Sequence, residues 1–139
     1  MIGFGQAIGR NARGNGMPWL LVAAGTAIFV AAVHSYLGEK RIFPRLFDRG
    51  DPPTLGGSAA LMRAIVRWAW HLTSLAWITL AAILIALLDD PSRVRQTVGA
   101  IVAAYLAIGA IVTFATTRGH HFAWPFFLVA TIAAWLGSR

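Results

Sequence analysis

The sequence predicts an all-α polytopic membrane protein, an antiparallel bundle of four transmembrane helices forming one domain over residues 1–139. Three observations carry that expectation. Of the 139 residues, 58% are hydrophobic and only 12% charged, whereas a soluble domain of this length needs more charge to cover its surface. The apolar residues gather into stretches close to the roughly 20 residues that cross a hydrocarbon core. Between the stretches stand prolines, glycines, and most of the Lys and Arg residues.

The first expected span is 17–37, MPWLLVAAGTAIFVAAVHSYL. Arg10 and Arg13 precede it, as basic residues precede the apolar core of a signal peptide. Its apolar run is longer than the roughly 7–15 residues of a signal core, and no small-residue cleavage site follows. The span is therefore expected to be retained.

An interfacial loop is expected over 38–63. Pro44 can open a short helix there and Gly50 can close it. Ile42, Phe43, Leu46 and Phe47 are interleaved with Lys40, Arg41, Arg45 and Arg49, a pattern that fits a segment lying in the headgroup layer against anionic lipid. Asp51-Pro52-Pro53 turns the chain, and Ser58 can cap the second helix, whose span is 64–88. Pro91, in the DDPSR hairpin at 89–93, stops one helix and admits the next. The third span is 94–116. After TTRGHH at 116–121 comes the fourth and shortest, 121–137, with Trp124 and Trp135 at its ends as interfacial aromatics. Small residues recur every four positions, Ala23, Ala27 and Ala31 on the first span and Gly99, Ala103 and Ala107 on the third. Such ladders let membrane helices approach closely.

The formal charge of +7 does not read as a nucleic-acid surface, because the basic residues flank apolar spans and form no single patch. With four antiparallel spans, Arg10, Arg13, Arg93, Arg95 and Arg139 share one side. Lys40, Arg41, Arg45, Arg49, Arg63, Arg67 and Arg118 share the other. Seven against five leans toward a cytoplasmic long loop. There is no cysteine, which excludes disulfides and thiolate metal sites.

Antiparallel topology brings all four histidines to the long-loop side. His34 ends span one, His71 lies two turns into span two, and His120 and His121 open span four. Imidazoles from three helices at one depth, with Glu39 nearby, form a possible ligand layer for zinc or iron. The favoured ligands are His34, His71 and His121, with Glu39 or His120 as alternates. Two of these histidines on facing helices would instead suit a b-type haem. A third reading is a quinone or lipid-like ligand held by His71, Trp70 and Arg67, with Ser74 on the same stripe. The bland alternative is interfacial trim, each histidine bonded to water or headgroups. Arg67, His71, Ser74 and Ile78 form one stripe of the second helix, polar for two turns and then apolar, which should face the bundle interior. Arg67, one turn before His71, disfavours its protonation, and the neutral ring is the form a metal needs. Trp68 is expected in the interfacial belt and Trp77, deeper, in packing.

The stretches HSYLGE (34–39), WHLTSLAW (70–77) and RGHHFAW (118–124) resemble a pattern in small bacterial four-helix membrane proteins of unknown function. The resemblance spans most of the chain. It implies a multi-pass protein of the bacterial inner membrane and brings no activity with it. No carboxylate lies inside a span, unlike the small multidrug exporters, and no phosphate-cradling loop, Ser-His-Asp set or HExxH motif is present. Function is thus expected in one of two classes: a metal- or haem-binding membrane protein with redox or enzymatic work, or a structural or assembly subunit. In either class it would act as a homo-oligomer or within a larger complex.

Overall fold

The computed structural model describes residues 3–48, 51 and 53–139, with side chains from Met17 onward. Among these, the chain forms α1 (Gly3–Leu37), a π-helical turn (Gly38–Ile42), α2 (Phe43–Phe47), α3 (Ala59–Ala86), α4 (Pro91–Thr117) and α5 (Ala123–Gly137). Because α1, the π turn and α2 are continuous, these make four helical rods. Three of them, 17–47, 59–86 and 91–117, are long and apolar enough to cross a membrane. At 1.5 Å per residue, the 15 residues of α5 reach about 22 Å. His120 and His121, counted on to lengthen it, stay in the turn before it.

The local signals explain the ends. Ser58 Oγ accepts from the Leu61 amide at 3.1 Å, so α3 starts at its cap rather than at residue 64. Asp90 caps α4 by accepting from Ser92 N at 3.0 Å, with Pro91 in the first helical position, where its missing N–H is not needed. Arg118 takes a left-handed conformation (φ 51°) after α4, and the Gly119 amide returns to Phe114 O at 3.0 Å.

Pro44 does not open a separate helix after a loop. It sits in the first turn of α2, in a rod that never breaks. A proline removes the donor owed to the carbonyl four residues back and its ring crowds that carbonyl. Widening the preceding turn to i→i−5, as in Phe43 N to Gly38 O, relieves the clash without ending the helix. α2 also differs from a segment floating among headgroups. Phe43 and Phe47 are buried, while Lys40, Arg41 and Arg45 are exposed. Gly50, expected to close α2, and Arg49 and Pro52 lie outside the described residues, as do the side chains of Arg10 and Arg13.

Neighbours in sequence pack as antiparallel neighbours: α1 with α3, α3 with α4, α4 with α5. Apart from Phe43 and Phe47, the buried core is made of small residues, Ala24, Ala27, Ala31, Ala81, Ala86, Ala103 and Ala110. Ala27 and Ala31 match the expected ladder on α1, but Ala24 rather than Ala23 completes it. Large apolar side chains turn outward instead, Phe29 at 68% and Phe126 at 70% exposure, which is the distribution for helices solvated by lipid. Trp77, expected to pack inside, is 40% exposed and belongs to that outer surface. Trp68 is exposed as well.

Candidate functional site: a polar cluster between the first and third helices

The stripe Arg67–His71–Ser74 does face a partner helix, and that partner is α1. Ser74, 5% exposed, is 2.9 Å from His34 Nδ1 and 2.8 Å from Ser35 Oγ. Ser35 Oγ is also 3.1 Å from His71 Nδ1. The other nitrogen of that ring, Nε2, lies 2.8 Å from Glu39 Oε1. Arg67 donates to the second carboxylate oxygen, Oε2, at 2.5 Å. One unbroken line of polar contacts therefore runs from His34 through Ser74, Ser35 and His71 to Glu39 and Arg67. Along α3, seven residues from Arg67 to Ser74 amount to about 10 Å.

Aromatic rings wall this line in. The His34 ring stacks on Trp70 with centroids 4.1 Å apart and planes 5° from parallel. The Trp70 indole N–H donates to the His34 carbonyl at 2.9 Å. Phe43 meets both Trp70 and His71 edge-on. Gly38 makes the approach possible, since a Cβ there would stand 2.4 Å from Trp70 Nε1. The π turn places Glu39 over His71 and Phe43 beside it.

Hydrogen-bond chemistry constrains the line further. An ionised carboxylate only accepts, so His71 donates to Glu39 through Nε2–H. Each serine hydroxyl donates once and can also accept, and its hydrogen rotates to suit. Two orders keep both serine hydrogens within the line. In one, His34 Nδ1–H donates to Ser74, Ser74 to Ser35, and Ser35 to a bare His71 Nδ1. In the other every bond is reversed: His71 donates through Nδ1–H, and Ser74 donates to a bare His34 Nδ1. The second order carries one proton more, held on His71 beside the Glu39 carboxylate.

Of the residues singled out in the sequence, His34, Glu39, Arg67, Trp70, His71 and Ser74 come together. His120 and His121 do not join them. His120 Nδ1 is 3.1 Å from Thr117 O, and His121 Nδ1 accepts from the Ala123 amide at 3.2 Å. The reason is angular. At 100° per residue, Arg67, Trp70, His71 and Ser74 occupy a sector of α3 centred about 160° from that of Ile65, Trp68, Ala69 and Leu72. The first sector meets α1. The second lines a cavity of about 150 Å³ shared with α4 and with His121. α3 thus stands between the two histidine groups. Among the described residues no three His, Asp or Glu side chains converge as a metal-ligand set, so the expected layer of His34, His71 and His121, with Glu39 or His120, does not assemble around one point. Arg67 is engaged by Glu39, whose other carboxylate oxygen meets His71.

Sequence reasoning gave Ser35 no role, although it links the two histidines. The available signal was its spacing of four from Glu39, which puts both on one face of a continuing helix. Compared with family models, with curated proteins and with solved structures, the chain gives no significant match in any of the three.

Proposed function

We propose that this is a small multi-pass protein of the bacterial inner membrane whose working element is a proton relay between α1 and α3. The observation that carries the reading is the continuous line His34–Ser74–Ser35–His71–Glu39, with every contact between 2.8 and 3.1 Å. A proton arriving at His34 Nε2 lets the proton on Nδ1 pass to Ser74. Ser74 passes its own to Ser35, and Ser35 passes its own to His71 Nδ1. One proton enters at His34 and one positive charge appears on His71, beside the carboxylate that stabilises it. The reverse sequence returns the proton. Chains of histidine and carboxylate groups serve as proton relays in membrane proteins, and histidine is the side chain suited to exchange protons near neutral pH.

Nitrogen-15 NMR of labelled histidine in lipid nanodiscs tests this directly. As His71 gains its second proton, His34 should exchange its Nδ1–H tautomer for the Nε2–H tautomer at the same pH midpoint. In Ser35→Ala the two events should separate. A His34 tautomer that stays fixed while His71 titrates in the intact protein would sink the relay.

The metal or haem reading is second, and one observation favours it. A carboxylate gripping one imidazole nitrogen is how proteins orient a metal-ligating histidine, and Glu39 holds His71 in this way. To bind an ion, His71 Nδ1 would have to leave Ser35 and act with His34. A Soret band, or zinc or iron at one equivalent in the purified protein, would establish this reading over the relay.

A further inference from the structure

A second charged arrangement lies on the outer flank of the same helix pair, and the relay does not use it. Arg63 and Arg67 are one turn apart on α3, where residues at i and i+4 are neighbours. Phe47 and Phe43 are likewise four apart on α2. The two pairs meet in antiparallel order. The Arg63 guanidinium lies over the Phe47 ring at 5.3 Å and that of Arg67 over Phe43 at 5.6 Å. Arg63 also donates to the Phe47 carbonyl at 3.3 Å, and Arg67 to Glu39. Each guanidinium carries five N–H donors in a rigid fork, so these bonds leave donors on both. Each fork is held by an aromatic ring and an oxygen, and little further ordering is needed on binding.

The two arginines, together with Ala60, Ala64 and Trp68, line an open groove of about 530 Å³ on the exposed surface of α3. Trp68 is 43% exposed there, and tryptophan marks the depth of the headgroups. Counting Glu39, the groove carries two positive charges against one negative, a net single positive charge. We infer that this groove is a binding site for the phosphodiester headgroup of an anionic phospholipid. The arginine forks take the phosphate oxygens, and the apolar edge formed by Ala60, Ala64 and the Trp68 ring takes the start of the acyl chains. A headgroup with one negative charge matches the net charge of the groove.

Native mass spectrometry of the detergent-solubilised protein, with added phosphatidylglycerol or phosphatidylcholine, tests the site. The intact chain should retain one phosphatidylglycerol in preference to phosphatidylcholine. Arg63→Gln should weaken that retention about fivefold, the factor for loss of one cation near an anionic lipid. Arg63→Lys, which keeps the charge but not the fork, should fall between. Arg93→Gln, which removes a cation from the opposite end of the bundle, should leave retention unchanged. An equal loss in Arg63→Gln and Arg93→Gln would reduce the effect to overall charge and overturn the inference, as would equal retention of the two lipids. Excess inorganic phosphate at matched ionic strength separates the sources, because displacement of lipid by free phosphate would assign the groove to a soluble anion instead. These readouts are independent of histidine titration, so the site and the relay stand or fall separately.

Discussion

The α1–α3 pair and the α4–α5 pair are built from the same materials and use their polar groups in opposite ways. Both pack through small residues, Ala27 and Ala31 on one side and Ala103 and Ala110 on the other. Both carry histidine, hydroxyl and tryptophan side chains near the same end. In α4 and α5 those groups bond within their own segment: Thr116 to Val112 O, Thr117 to Thr113 O, Thr131 to Phe127 O and Trp124 to Gly119 O. In α1 and α3 the threonines do the same, Thr73 to Ala69 O and Thr79 to Leu75 O, but Ser35, Ser74, the two histidines and Trp70 bond across the helix interface. A hydroxyl returned to its own helix is silent in a membrane. One that reaches a second helix joins two titratable groups into a single unit, and only the first pair contains such a unit among the described residues.

The largest expected effect comes from wedging the first pair open. Gly38→Ala sets a methyl group against the rigid indole of Trp70, and overpacking of this kind costs about 2 kcal/mol or more. The midpoint of unfolding in an SDS titration should fall clearly, whereas Gly25→Ala on the same rod, with nothing within 4 Å of the new Cβ, should leave it unchanged. Gly99→Ala makes the matching intrusion in the second pair, where its Cβ would stand 2.0 Å from Ser138 Cβ. Ser138 follows the last residue of α5 and can swing away, so a loss of about 1 kcal/mol is expected in the same titration. A larger loss for Gly99→Ala than for Gly38→Ala would reverse the ranking of the two pairs.

Smaller effects separate the polar groups themselves. Ser35→Ala removes two interhelical hydrogen bonds, each usually worth about 0.6 kcal/mol in a membrane, and should cost about 1 kcal/mol while splitting the histidine titrations as described above. Thr116→Val, which removes a hydroxyl bonded only to its own helix, should change stability by less than about 0.5 kcal/mol and leave both histidines as they are. A shift of the His34 or His71 resonances in Thr116→Val would show that the two pairs are coupled through α3.

Much of this arrangement was legible in the sequence. Composition and span length give the four rods, Ser58 and Pro91 give their starts, and the spacing of Arg67, His71 and Ser74 marks a face in need of a partner. The choice of partner was not legible. Periodicity places residues on a face of α3 but does not say which neighbouring helix that face meets, so His121 seemed as close to His71 as His34 is. The path of the chain after Leu37 was equally hidden. Proline and glycine there read as punctuation, yet Pro44 is absorbed by a wider turn and the rod runs on to Phe47. That continuation is what brings Glu39 and Phe43 to the cluster, and no local propensity announces it.

The π turn therefore acts as a phase adjustment in the first rod. A single extra residue in a helical turn rotates everything beyond it by about 100°. Residues before the turn, His34 and Ser35, and residues after it, Phe43 and Phe47, all address α3, which an unmodified helix of this sequence would not allow at once. An α-helical turn that kept every residue of 38–42 would rotate the two phenylalanines off α3, stripping the rings from beneath Arg63 and Arg67 while leaving the serine–histidine contacts in place. Removing one residue from 40–42 would instead restore the ordinary repeat and keep both rings facing α3. The polar line and the aromatic clamp are thus two separately tunable halves of one interface, set against each other by the width of a single turn.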